Sequence, residues 1–511
     1  MSEYLGELAG SMGEGLALLA TPGTMAMLVL GIVVGLVIGI IPGLGGLATM
    51  ALLLPFAYAL EPANALALIL GAYSAVSMGG SIPAILLNTP GTGEQAVTAL
   101  DGYPLTRQGK GARALGAAAA AGAVGTLVGV VALILLIPVI RIILIAVGSA
   151  ELFALSLLGV LAIGVLTTDS VTRGLLSGLI GLMLSFIGYD PITGTPRFTG
   201  GSLYLFDGLS ITALTLGLFA IAEMIFLFSK GKAISSSADR PFQFSNEEGA
   251  GVRDGLRDCV QHRRTLVEGG LIGSVVGLIP GMGGTVAMFL SYAQAKQRSK
   301  TPALFGKGSV EGIIAAEAAN NSKEGGSLIP TLAFGIPGSS GMAIFIGILL
   351  IVGLQPGPEL MRENLPMVYY MAWSLAVAGV IGSVLGLVIA PYVARTATLK
   401  PEVLAPLLIA FSVAGSVVDT RLVFGAMVAI AAGFLGYWLR ILGYSAAGVT
   451  LGFLLGPIVE KEMFISLRAY GFDFLTRPLT LLIFGFMVYL ITRPYLRRLW
   501  ARRRKPTEEK V

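Results

Sequence analysis

The chain has 511 residues, of which 55% are hydrophobic and only 12% charged, against about 25% charged in a soluble protein. With a mean hydropathy of +0.84, this composition excludes a soluble globular domain and specifies a polytopic membrane protein. One cysteine and one histidine exclude an intrachain disulfide and leave zinc or haem without a ligand set. The net charge of +5 needs no nucleic-acid partner, because the basic residues cluster at loops and in "RPYLRRLWARRRK" near the C-terminus, as cytoplasmic anchors do.

In chain order, "MSEYLGELAGSMGEG" lacks the basic start of a cleaved signal peptide, and residues 1–23 read as an amphipathic lead-in at the membrane surface. A first transmembrane repeat is expected over 24–229. It opens with a broken unit at 24–60 containing "GIIPGLGG", Gly39 to Gly46. Proline removes an amide donor and glycine weakens a helix, so this is a deliberate break inside apolar sequence. Its side chains are all apolar, so Gly43, Gly45 and Gly46 could serve a coupling ion only through their backbone. A discontinuous pair follows at 64–100, broken by Asn88, Thr89, Pro90, Gly91 and Thr92, with Glu94 directly after. Spans are expected near 112–145, 150–168, 171–188 and 208–229.

Residues 230–264 form a polar cytoplasmic connector, in which Cys259 and His262 read as solvated and interfacial. The second repeat, with a last helix, covers 265–493. "GLIPGMGG" (Gly277 to Gly284) repeats the first breaker and offers Gly281, Gly283 and Gly284. A pair at 309–353 carries "EAANNSKEGGS", then Gly335, Pro337, Gly338, Ser339 and Ser340. Asn320 and Asn321 have two readings: amides for a carboxylate or an ion, or a polar connector at the membrane edge, which Lys323 and Glu324 favour. Further spans fall near 365–393, 401–418, 421–439, 445–458 and 476–493, before a basic tail at 494–511.

The two halves match in motif order, and their loop charges are opposite. "ALEPAN" has no basic residue where "AKQRSKTPALFGKG" is strongly basic; "YPLTRQGKGAR" is basic where "LQPGPELMRENLP" is nearly neutral. The positive-inside rule therefore points to inversion. The fold class expected is an all-α polytopic membrane protein with two inverted-topology repeats, broken helices and re-entrant hairpins. Such repeats enclose a site near the midplane, where half-helix N-termini face an anion. Asn88 to Thr92, Asn320, Asn321, Gly335 and Pro337 to Ser340 are the substrate candidates. Glu94 and the breaker glycines are the ion-coupling candidates. No G-x-x-x-x-G-K-[ST] sequence and no Ser/His/Asp set can be assembled, so neither ATP hydrolysis nor another enzymatic activity is expected. A passive anion channel is the main alternative, since broken helices also build filters. An intramembrane enzyme ranks below it.

"GLIPGMGG", "EAANNSKEGGSLIPTLAFGIPGSSG" and "GGSIPAILLNTPGTG" together resemble the large membrane subunit of the tripartite tricarboxylate transporters, the TctA family. The resemblance runs over nearly the whole chain. It implies a multi-pass permease of the bacterial inner membrane; movement of the core that holds the paired Pro-Gly elements against the other helices would give elevator-type alternating access. The imported substrates would be carboxylates such as citrate, driven by a Na+ or H+ gradient. It implies a periplasmic solute-binding protein and a small membrane subunit as partners, with no cofactor and no metal beyond a sodium ion. Carried over, the functional positions are the two Pro-Gly elements, the two breaker motifs, and Asn320 and Asn321. Ser322 departs from the alanine common in the family after the paired Asn.

Overall fold

A computed structural model describes residues 2–41, 45–90, 94–144, 147–166, 170–190, 192–230, 250–280, 282–396 and 401–503. The protein is an all-α polytopic membrane protein. Among the described residues the only sheet is a short antiparallel ladder, Gly188–Tyr189 with Pro196–Arg197. Five described helices are long and apolar enough to cross a membrane, or six counting the bent pair Ala446–Thr476 and Pro478–Tyr489.

The chain begins with α1 (Ser2–Leu19) and α2 (Pro22–Ile40), whose proline sits in the first turn, where no amide donor is needed. The first breaker ends α2: Ile41 is extended, and α3 (Gly46–Leu53) starts anew, followed by the single turn α4 (Phe56–Ala59). Pro42, Gly43 and Leu44 lie outside the described residues. Next come α5 (Pro62–Leu87), α6 (Gln95–Arg107), α7 (Gly111–Leu144), α8 (Ser149–Leu166), α9 (Val171–Ser185), α10 (Ile211–Thr215) and α11 (Ala222–Lys230). The second half has α12 (Val252–Gln261), then α13 (Arg263–Gly277) and α14 (Gly283–Arg298) on either side of the second breaker. It continues with α15 (Val310–Phe334), α16 (Ser340–Ile351), α17 (Pro358–Glu363), α18 (Leu365–Thr396), α19 (Pro401–Thr420), α20 (Val423–Ile441), α21 (Ala446–Tyr470) and α22 (Pro478–Arg503).

These helices form two compact units. One comprises Met1–Ile145, Ser210–Ala333 and Pro337–Tyr437; the other comprises Ala146–Leu209, Phe334–Ile336 and Trp438–Val511. In the second unit α8, α9, α21 and α22 pack together. Glu151, buried in α8, pairs with Arg477 at 2.8 Å, and Arg197 pairs with Glu460 at 2.6 Å. In the turn between its short strands, the amides of Ile192 and Thr193 hold the Asp190 carboxyl below the usual carboxylate range.

The first unit is organised by two helices buried on all sides, α5 and α15. Each is approached by the glycine stripe of a broken partner. Gly31, Gly35 and Gly39 bring α2 against the backbone of Leu68, Ala72 and Val76 on α5. Gly269, Gly273 and Gly277 bring α13 against Ala315, Ala319 and Lys323 on α15. At every contact a Cβ would collide with a main-chain atom. Glycine at four-residue spacing is the means by which membrane helices come this close.

Two expectations change. "EAANNSKEGGS" is no connector at a membrane edge: residues 312–333 are all buried within α15, including Lys323 and Glu324. Cys259 is not solvated. Its α12 lies on α7, held by Arg113 and Asp258 at 2.6 Å, and its thiol donates to the Ala117 carbonyl. Burial and the neighbouring Asp258 push that thiol up to about 12. Amphipathicity explains this, since the apolar stripe of α12 needs a cover and α7 supplies it. His262 remains partly exposed, 3.7 Å from Glu311. The α1 segment packs along α18, where Trp373 donates to the Met12 carbonyl.

Gly273→Val should cost about 3 kcal/mol or more through overpacking and remove the monodisperse peak in fluorescence-detected gel filtration; a normal peak would contradict the glycine-stripe account. Native protein should resist a hydrophilic maleimide at Cys259 until denatured, and rapid labelling of folded protein would show that α12 is not docked.

Candidate functional site

Residues of all four broken-helix elements come together in the first unit. At the end of α5, Asn88 adopts a left-handed conformation (φ 55°), and the Thr89 amide turns back to the Pro83 carbonyl at 3.3 Å. Pro90 closes the described segment. Gly91 and Thr92 lie outside the described residues, and the chain resumes with Glu94 at the N-cap of α6. In the second half, Gly335 takes φ 66° and belongs with Phe334 and Ile336 to the second unit. Ser339 caps α16, its hydroxyl accepting from the Met342 amide. The Gly338 amide donates to Thr331 Oγ1 at 3.3 Å. A Cβ on Gly338 would strike Ser327, so this Pro-Gly element lies directly on α15.

Around these breaks lies a buried ionic cluster. Lys323 Nζ is 2.6 Å from Glu324 Oε1 and 3.1 Å from Glu94 Oε1. The side chains are 4%, 11% and 29% exposed respectively. The Gly284 amide, in the first turn of α14, donates to Glu94 Oε1 at 3.2 Å. A side chain at Gly284 would overlap both Lys323 and Glu94. Tyr73, on α5, faces the same group of charges. Its hydroxyl is 3.4 Å from Ser339 Oγ, and its ring rests on Gly46 at the start of α3. Gly341, in the first turn of α16, has room only for that phenol. The N-terminal ends of α3, α6, α14 and α16 therefore lie around one cluster, and α14 gives it a backbone amide at Gly284.

A ring of polar side chains adjoins it. Glu317 Oε1 accepts from Ser81 Oγ at 2.7 Å and from Thr98 Oγ1 at 2.5 Å. Asn320 Nδ2 donates to Ser77 Oγ at 2.7 Å. Asn321 instead bonds the Glu317 carbonyl of its own helix at 3.0 Å and lies against Gly122 of α7. The paired amides thus separate, Asn320 toward α5 and Asn321 toward α7.

Of the residues singled out from sequence, Glu94, Gly46, Gly284, Gly338, Ser339 and Asn320 are gathered here. The Gly45 carbonyl is taken by Thr49, Gly283 turns the chain with φ 65°, and Gly281 lies outside the described residues. Asp101, another acid beside an apolar span, accepts from the amides of Gly306, Gly308 and Ser309 and from Tyr292 Oη, and so pins a loop. Sequence reasoning missed Tyr73, Lys323, Glu324 and Glu317. A helical reading of Glu317, Asn320, Glu324 and Ser327 would have found two of the four, Glu317 and Glu324, on one stripe with Asn320, at spacings of three, four and three residues.

Breaking a buried ion pair leaves a charge without compensation. Lys323→Met should therefore lower stability by about 3 kcal/mol or more. Lys323→Met combined with Glu324→Gln should recover part of that in a thermal-unfolding assay; additive losses would contradict direct coupling.

No solved structure matches this chain. It is 30% identical over 482 residues, 93% of each chain, to the "uncharacterized 52.8 kDa protein in TAR-I ttuC' 3'region" of Agrobacterium vitis. It is 32% identical over 216 residues to the "uncharacterized protein in TAR-II ttuC' 3'region" of the same organism, covering 42% of this chain and 89% of that one. The Tripartite tricarboxylate transporter TctA family matches residues 25–451. The chain therefore belongs to the tripartite tricarboxylate transporter TctA family, a family of transporters rather than enzymes.

Proposed function

We propose that the protein is the large permease subunit of a bacterial inner-membrane importer of di- or tricarboxylates, driven by an ion gradient. In this reading a periplasmic solute-binding protein delivers the substrate and a small membrane subunit completes the complex. The observation that carries it is Lys323. Among the described residues it is the only buried lysine or arginine, and it lies where the helix breaks bring their N-terminal ends together.

An anionic substrate needs a cation and amide donors in a dry place. Lys323 supplies the cation. Its partner Glu94 is the most exposed member of the cluster, and it accepts from both Lys323 and the Gly284 amide. Glu94 thus occupies the position a substrate carboxylate would take, and substrate binding would exchange one carboxylate for another. The N-terminal turn of α16, with Ser339, and the Tyr73 phenol provide further donors. The matched glycine stripes on α2 and α13, each against a helix that ends in a Pro-Gly break, support the reading of two inverted repeats. Elevator-type access would carry the broken helices and their charges together, keeping the ion pairs intact during movement.

Uptake into proteoliposomes containing both partner subunits tests this. Lys323→Met should reduce carboxylate uptake by about 100-fold or more, the scale for removing one partner of a buried charge pair. Ser339→Ala should reduce it about tenfold, as expected for one hydrogen bond to a charged group. Normal uptake by Lys323→Met at normal expression would sink the site.

A further inference from the structure

Helix α12 sorts its charges by face. Asp258 and Cys259 are buried on the α7 side, where the Arg113 guanidinium donates to both oxygens of Asp258. The two backbones also touch: a Cβ on Gly255 would strike the Arg113 carbonyl oxygen, and one on Gly116 would strike that of Val252. This contact fixes which face of α12 points outward. The outer face carries Arg253, Leu256, Arg257 and Val260, all exposed, at the three- and four-residue spacing of a single stripe. Asp254 is drawn to the start of the helix, where one oxygen accepts from the Gly251 amide at 3.0 Å and the other lies 3.8 Å from Arg257. Where α12 meets α13, Glu268 is shared by Arg264 and Arg298. Glu311 accepts from the Thr265 and Ser299 hydroxyls, with His262 at 3.7 Å. Arg253 and Arg263 make no ion pair among the described residues. The outer face is therefore basic as well as partly apolar.

The stripe continues into α13. Val267, Leu271 and Val275 are exposed at four-residue spacing, the pattern of a helix side that faces acyl chains in a membrane protein. Arg263 and Arg264 stand one turn before Val267, so the edge of the hydrocarbon layer falls between them. Val260, 72% exposed, and Leu256 lie just beyond that edge, among arginines. Water would solvate the guanidinium groups but leave both aliphatic side chains bare. A phospholipid surface answers both needs, with acyl chain for the aliphatic groups and phosphate for the guanidinium forks.

We propose that the outer face of α12, with the first turn of α13, binds the headgroups of anionic phospholipids in the cytoplasmic leaflet. Continuity with the exposed apolar row of α13 favours lipid over an acidic protein as the occupant. The proposal depends on α13 lying in the membrane and is independent of what the protein transports.

The test is titration of a fluorescent phosphatidylglycerol into the detergent-purified full chain, against phosphatidylcholine with the same acyl chains. The wild type should prefer phosphatidylglycerol, and the preference should shrink as salt is raised. The triple variant Arg253→Gln, Arg257→Gln, Arg263→Gln should lose about fivefold in preference for each arginine removed. The matching triple change to lysine should keep most of it. Slow maleimide labelling of Cys259 in each variant checks that α12 stays docked on α7. Equal affinity of the wild type for the two lipids would overturn the assignment. So would a preference that survives in the glutamine variant with α12 docked. If α12 comes loose in that variant, Arg253→Gln alone decides, by the presence or absence of its fivefold loss. In native membranes a benzophenone side chain at position 260 should cross-link to lipid; a protein adduct in its place would overturn the assignment in favour of a protein partner.

Discussion

An ammonium buried between two carboxylates inside the first unit is the constraint from which the rest of that unit follows. Such charges are tolerated only when each finds partners, because the desolvation cost is several kcal/mol per ion. Regular helices cannot supply those partners, since their backbone donors are already used. Broken helices can, because every new N-terminus frees amide groups. The Gly284 amide on Glu94 is a direct case. The breaks at the ends of α2, α5, α13 and α15 are what allow Lys323 to be buried.

A second constraint follows from the first. Helix ends reach a common point only if the helices carrying them pack closely. The glycine stripes do this twice, in α2 on α5 and in α13 on α15, with backbone against backbone. Gly46, Gly284 and Gly341 complete the fit by leaving room for the Tyr73 ring, the Lys323 and Glu94 side chains, and the Tyr73 hydroxyl. High glycine content, the Pro-Gly motifs and the ionic cluster are therefore consequences of a single architecture.

The fold class was legible from composition and hydropathy, and the broken helices from their proline and glycine. The pairing of motifs in the two halves led to Ser339, Glu94, Asn320 and Gly284. Lys323 and Glu324 were misread, because adjacent charges in a sequence usually mark a solvated edge. Only the tertiary structure shows α7, α13 and α5 covering that segment of α15. Tyr73 was invisible for the opposite reason: an aromatic in an apolar helix looks like core, and its role depends on Ser339, 266 positions away. Cys259 shows the same limit. The polar sequence around it suggested solvent, whereas the amphipathic face of α12 puts it against α7.

The central claim is that the substrate carboxylate is bound at Lys323, in the place Glu94 holds. An electron cryomicroscopy map of the full complex with a dicarboxylate tests it most directly. The account predicts a substrate carboxylate on Lys323 Nζ and Glu94 displaced from it. Substrate density elsewhere, with the Lys323–Glu94 pair intact, would contradict it.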